Sequence, residues 1–318
     1  MCPILAGAGY PCAMATKQEK KVVLFRRGGA MFSNLWSVTG FLKWAESSGV
    51  EPLIDFQTEK PMNYWEGAEP RNGWTDYFEQ TSPLSLDKIL SSESYEVFTS
   101  RPRAFPTGDY LQSPNYGEVF LSRIHLNAAM DEYVGQWLAM LRECSKPLGV
   151  HFRGTDMRVA KSHWAPPTNY QMLKTIDLAL QMNDFDHIFV ATEDERNLSF
   201  LRRRYGSMVV TSDSFRTDKE HKMSRISSPV LQWRYLLGKQ VIRDTWLLGR
   251  CEGLVSGHSN VSEHAQVLSR AGYKVNLQIR RPRVDLLGSH PWTIRFTNLA
   301  RELSTSRFRG VDFQVYSR

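Results

Sequence analysis

Gly149-Val150-His151-Phe152-Arg153-Gly154-Thr155-Asp156 is the stretch on which the reading of this chain turns. Leu148 and Val150 mark the end of a buried strand, and His, Arg and Asp follow at spacings of two and three. Packing gives no reason for such a cluster of charges at a strand end. In open α/β sheets, ligands bind just outside the carboxyl ends of the strands. The planar donor fork of an arginine matches a phosphate. One reading is therefore a phosphate-bearing ligand held here. The other is a strand end whose His and Arg pair with neighbouring carboxylates.

Working outward, strand-like and helix-like pieces alternate. Lys21–Phe25 reads as a strand running into the glycine-bearing turn Arg26–Asn34. A helix from Leu35 to Ser48 follows, ended by Gly49, and then the strand Glu51–Phe56. Residues 58–116 are rich in Pro, Trp, Tyr, Asn and Ser and read as long surface loops. Val119–Leu141 is a helix, and Lys146-Pro147 a domain boundary. Beyond it come strands ending at Phe152, over His187–Thr192, Met208–Thr211 and Gly253–Ser256, and a last one over Tyr273–Ile279. Helices fall at 170–182, 197–205, 229–249 and 260–272. The alternation implies an α/β fold with parallel sheets. We divide the chain into a mobile N-terminal extension (1–20), an α/β domain (21–146) and a second Rossmann-like domain (147–318).

Two further strand ends share the polar character of the first: Ala191-Thr192-Glu193-Asp194 and Ser256-Gly257-His258-Ser259-Asn260. In a parallel sheet all three lie along one edge. The third also opens a helix, with Ser259 or Asn260 as N-cap and Glu263 in the first turn. A helix N-terminus beside a hydroxyl is a ready phosphate site.

Composition limits the function classes. With 318 residues, 42% hydrophobic and 23% charged, the chain suits a packed core. Its net charge of +7 favours anionic partners. The densest basic runs, Arg202-Arg203-Arg204 and Arg280-Arg281-Pro282-Arg283, are too short for a nucleic-acid binder. Four cysteines without CxxC spacing argue against a zinc site or a disulfide scaffold and for a reducing compartment. No apolar run reaches the length of a spanning helix. Met1–Thr16 lacks the basic start of a secretion signal. The expected location is the cytoplasm, with peripheral contact at the inner face of a membrane left open.

The residues from Leu148 to Gln266 resemble the nucleotide-binding domain of GDP-fucose-dependent fucosyltransferases. The α-1,6-fucosyltransferases, including the bacterial nodulation enzymes, are nearest, and the protein O-fucosyltransferases are more distant. Gly149–Asp156 is similar to their first motif, Phe189–Asp194 to the second, and Asp244–Leu248 through Val255–Ser259 to the third. Gly28–Asn34 is more loosely similar to the glycine-rich loop of their acceptor domain. The resemblance implies a fold of two Rossmann-like domains facing a cleft (GT-B type), GDP-fucose as donor substrate, no cofactor, no metal and inversion at the anomeric carbon. The acceptor is a glycan or another hydroxyl compound. Carried over, Arg153 binds the β-phosphate and stabilises the leaving diphosphate, and His151 touches ribose or phosphate. Asp194 and Asp244 accept from guanine or ribose. Ser259 donates to a phosphate, and Asn34 reaches the β-phosphate from the opposite domain.

This chain departs from the family pattern twice. Many relatives carry a second Arg where Gly154 stands. The α-1,6 enzymes place a carboxylate base where this chain has Lys161, which is protonated at neutral pH. His163 is the nearest titratable substitute, with Asp156, Asp109, Glu66 and Glu69 as further candidates. The alternatives are a GDP- or sugar-binding module without transferase activity, and a transferase of the same fold using another nucleotide-sugar.

Overall fold

The computed structural model of the chain describes residues 21–26, 30–56, 64, 72–99, 115–158, 166–219, 228, 230, 232–279 and 313–315. The proposed extension (1–20) and His163 lie outside them, as do Lys161, Asp109, Glu66 and Glu69.

The N-terminal half is built on β1 (Val22–Phe25), whose four residues are all buried. It pairs in parallel with β2 (Glu51–Ile54) on one side and β3 (Glu96–Phe98) on the other. Helix α1 (Met31–Ser48) links β1 to β2, and Gly49 ends it in the left-handed conformation at φ 66°. It begins ahead of the expected Leu35, although Ala30 offers no side-chain cap. Met31, Phe32 and Leu35 are all buried, and that apolar first turn outweighs the missing cap.

Two expectations for the middle of the chain are corrected. The region read as loops contains α2 (Leu86–Ser92) and the sheet strand β3, which is too short to show a period. The helix expected over Val119–Leu141 is two helices, α3 (Tyr116–Arg123) and α4 (Ala128–Leu141). Between them Leu126 bridges to Phe78, and the Asn127 side chain caps α4 by accepting from Met130 N–H at 2.9 Å.

The second half is a six-stranded sheet of β4 (Pro147–His151), β5 (His187–Ala191), β6 (Val209–Val210), β7 (Gly253–Gly257), β8 (Val275–Ile279) and β9 (Phe313–Val315). Their spatial order is β6-β5-β4-β7-β8-β9. Every pairing is parallel except β8 with β9, so Ile279 does not end the sheet, as the sequence reading had it. Helices α5 (Asn169–Met182), α6 (Glu195–Tyr205), α7 (Trp233–Leu248) and α8 (Asn260–Leu268) cover it. Val150, Val190, Val255 and Leu277 form one apolar cluster with Met172 and Ile176 of α5 and Leu198 and Leu201 of α6. On the other side, Phe189, Ala191 and Leu254 join Ile242, Leu247 and Ala265 of α7 and α8 in a cluster that continues into Phe25, Phe41 and Phe120 of the first half. Among the described residues no helix is long and apolar enough to cross a membrane.

Chain order fixes where a ligand belongs. From β4 the chain moves outward through β5 and β6, then returns to the far side of β4 with β7 and β8. The reversal lies between the carboxyl ends of β4 and β7, the switch point where open α/β sheets bind ligands.

Helix α8, which follows β7, is tied to the first half by His264. The ring is fully buried among Phe32, Trp36 and Phe120, with centroids at 5.0, 4.9 and 5.2 Å. Its Nδ1 lies 2.7 Å from Asn260 O, and its Nε2 2.9 Å from the Tyr116 hydroxyl. The neutral tautomer satisfies both, with Nδ1–H donating to the carbonyl and Nε2 accepting from tyrosine. Burial pushes the His264 pKa down to about 3, opposed only by the bond to Asn260. The unfolded chain titrates near the ordinary 6.5. Between those values the unfolded chain binds more protons, so stability is lost as pH falls. We expect the unfolding free energy to drop more steeply from pH 7 to pH 4.5 in the wild type than in His264→Phe, by roughly 2–3 kcal/mol. Urea titrations across that range check this, and parallel pH slopes would contradict it.

Candidate functional site

At the switch point, His151 ends β4 directly opposite Ser256 of β7. His151 is buried, and its Nδ1 lies 3.2 Å from the Ser259 hydroxyl. Burial first, and the positive charge of Arg153 second, push its pKa down to about 3, so the imidazole is neutral. Ser259 caps α8 by accepting from Ser262 N–H at 3.2 Å. The Ser259 hydroxyl keeps both a proton and a second lone pair, so its bond to His151 Nδ1 forms with either neutral tautomer of the ring. The first turn of α8 therefore presents backbone N–H groups and the positive end of its dipole beside a neutral histidine.

Arg153 leaves the strand two residues later. Its side chain is 34% exposed, with Nε 4.0 Å from Glu193 Oε1. The same Glu193 oxygen accepts from Gly154 N–H at 3.1 Å and from the Thr155 hydroxyl at 2.9 Å. Thr155 has φ +35°, a costly conformation for a β-branched residue, and these contacts hold it there. Glu193 thus organises the turn that carries Arg153. Sequence reading quoted Glu193 within a motif but gave it no role.

Gly154 explains the first departure from the fucosyltransferase pattern. A Cβ at this position would lie 2.5 Å from Asp194 Oδ2 and 2.9 Å from Asn197 Nδ2. Both neighbours are fixed. Asn197 donates to Phe152 O at 3.2 Å. Asp194, fully buried, caps α6 by accepting from Arg196 N–H at 3.0 Å and takes the Arg196 side chain on both oxygens at 3.0 and 2.9 Å. The sequence reading had Asp194 accepting from guanine or ribose. The structure engages its carboxylate from within the protein, where it supports the turn beneath Arg153.

Asp244 lies on α7. Its Oδ1 accepts from the Ser212 hydroxyl at 2.7 Å and from Arg243 Nε at 3.0 Å, and its Oδ2 accepts from the Ser214 hydroxyl at 2.7 Å. A carboxylate oxygen takes two such bonds, so among the described residues one position on Oδ2 remains. Arg243 was missed. In the sequence, Arg243-Asp244 looks like an exposed pair on a helix. The available signal was the apolar run on both sides, Val241-Ile242 and Trp246-Leu247-Leu248, which buries the helix all round and forces its charges to pair.

Among the described residues, buried polar atoms without a hydrogen-bond partner include those of two side chains at the carboxyl edges of the sheets. They are Asn34, in the first turn of α1, with both amide atoms unpaired, and Ser256 Oγ. An unpaired buried polar group costs about 1–3 kcal/mol. Such costs concentrate where an occupant supplies the missing partner. Among the described residues, no group of three His, Cys, Asp or Glu is placed to hold a metal ion.

This two-sheet α/β architecture matches the fold type known as GT-B. Crystal structures of comparable fold include NodZ α-1,6-fucosyltransferase co-crystallised with GDP, at 16% identity over 82% of this chain and 95% of that one, with a TM-score of 0.57. Fucosyltransferase NodZ from Bradyrhizobium gives the same identity and score over 82% and 96%. A mutant of Arabidopsis thaliana FUT1 in complex with GDP is 11% identical over 89% of this chain and 73% of that one, with a TM-score of 0.53. The likeness is one of fold. By sequence, no family profile and no curated protein matches this chain.

The clash at Gly154 has a measurable consequence. Gly154→Ala, a first step toward the arginine of the relatives, should destabilise the protein by about 1–3 kcal/mol through overpacking. Denaturant titration reads this directly, and an unchanged midpoint would show that Asp194 and Asn197 give way.

Proposed function

We propose that this protein is a glycosyltransferase that takes GDP-fucose as donor and moves the fucosyl group to an acceptor hydroxyl, with inversion and without a metal. The observation that carries the reading is the β4/β7 switch point. There an arginine, a neutral histidine and a helix N-terminus converge, in a fold whose solved examples include fucosyltransferases bound to GDP. In the reaction the acceptor oxygen bonds to the anomeric carbon as the bond from that carbon to the β-phosphate oxygen breaks. GDP leaves with the electron pair through an oxocarbenium-like state. Arg153 and the start of α8 stabilise the charge growing on the diphosphate, the task a divalent cation performs elsewhere. Asn34 meets the β-phosphate from the first half, His151 contacts ribose or phosphate, and Asp244 receives the guanine. His163 takes the acceptor proton. The acceptor class is a glycan or another hydroxyl compound, and the working compartment is the cytoplasm.

The test is a thermal-shift panel of GDP, UDP and ADP with and without EDTA, followed by release of GDP from GDP-fucose. A ligand at a hundredfold its Kd adds about 2.7 kcal/mol to the unfolding free energy. We expect GDP to raise Tm well above UDP and ADP, and the shift to survive EDTA. Equal shifts for all three nucleotides would overturn the donor assignment. Loss of the GDP shift with EDTA would overturn metal independence. Binding of GDP with no turnover of any GDP-sugar would leave a binding module.

A further inference from the structure

The buried charge that the proposed reaction does not use is Arg243. Its side chain has no solvent exposure. Its guanidinium makes four hydrogen bonds: Nε to Asp244 Oδ1 at 3.0 Å, Nη2 to the Ser214 hydroxyl at 2.6 Å, and Nη1 to the Tyr133 hydroxyl at 2.6 Å and to Asp213. Its Cζ lies over the Trp137 ring, 4.3 Å from the centroid. Tyr133 and Trp137 belong to α4, before the strand that opens the second sheet. The serines and Asp213 belong to the segment after β6.

These bonds form a closed ring. Ser214 accepts from Arg243 and donates to Asp244 Oδ2, while Asp244 Oδ1 holds Arg243 Nε. Ser212 completes Oδ1. Among the described residues the ring leaves Asp244 a single open acceptor position, and it holds the carboxylate in place. Lysine, a point charge with no planar fork, cannot reproduce the bonds that Nε, Nη1 and Nη2 make together.

We infer that Arg243 is a positioning residue for the base of the bound nucleotide, aiming the last free acceptor of Asp244 from a seat built by Tyr133 and Trp137. The inference rests on the reading above, in which Asp244 receives guanine. It adds the reason one carboxylate discriminates. A lone fixed acceptor suits the N–H donors on one edge of guanine, and it repels a base that presents a ring acceptor or a carbonyl at that point.

The experiment compares GDP with inorganic pyrophosphate, which has the diphosphate but no base, by isothermal titration on the full chain. Wild type should bind GDP more tightly than ADP or pyrophosphate. Arg243→Lys should raise the GDP Kd about tenfold, as expected for losing one charge-assisted bond, and leave the pyrophosphate Kd unchanged. Tyr133→Phe and Ser214→Ala should move GDP in the same direction by smaller factors. They carry the test if Arg243→Lys does not fold. A parallel rise for GDP and pyrophosphate, or an unchanged GDP Kd in the folded variants, would overturn the role of Arg243. A wild type that does not prefer GDP over ADP would overturn the guanine reading itself and this inference with it.

Discussion

The parallel pairing of β4 with β7 is the constraint from which the site follows. It sets His151 opposite Ser256 at the edge of the sheet, and because β7 runs straight into α8 it brings the Ser259 cap within hydrogen-bond distance of the imidazole. Both strands are fully buried, and a one-residue slip would turn His151 into the apolar face occupied by Val150 and Val255. The pairing also creates the reversal in strand order that leaves a crevice between two diverging helical layers.

Around that edge the protein spends its carboxylates on itself. Glu193 holds the turn beneath Arg153, Asp194 caps α6 and clamps Arg196, and Asp244 is filled by two serines and an arginine except at one position. Beside them stand the partly exposed Arg153 guanidinium, the first turn of α8 and an imidazole kept uncharged by burial. Engaging the acids inward leaves a field suited to an anion, achieved by where hydrogen bonds go rather than by excess basic residues.

Much of this was legible in the sequence. The apolar strand interiors, the helix stop at Gly49 and the polar ends of three strands all reflect local chemistry that a single segment carries. Other features depend on partners far along the chain. Nothing in Glu96-Val97-Phe98 announces a strand, because its pairing is with Val23–Phe25. Nor does α4 announce that Tyr133 and Trp137 seat an arginine more than a hundred residues later. Asp194 was given to the nucleotide because its motif position suggested it. The competing demands, a bare helix N-terminus and the Arg196 fork, become visible only when α6 is seen to start there.

The central claim is that Arg153, held on the Glu193 turn beside α8, binds the diphosphate of a guanine nucleotide. Titration of GDP into wild type and Arg153→Lys, with the ligand-free Tm of each recorded, tests it most directly. The account predicts equal melting temperatures and a Kd at least about tenfold weaker in the variant, since lysine keeps the charge but loses the bidentate fork. Unchanged GDP affinity in a variant that melts like the wild type would contradict it.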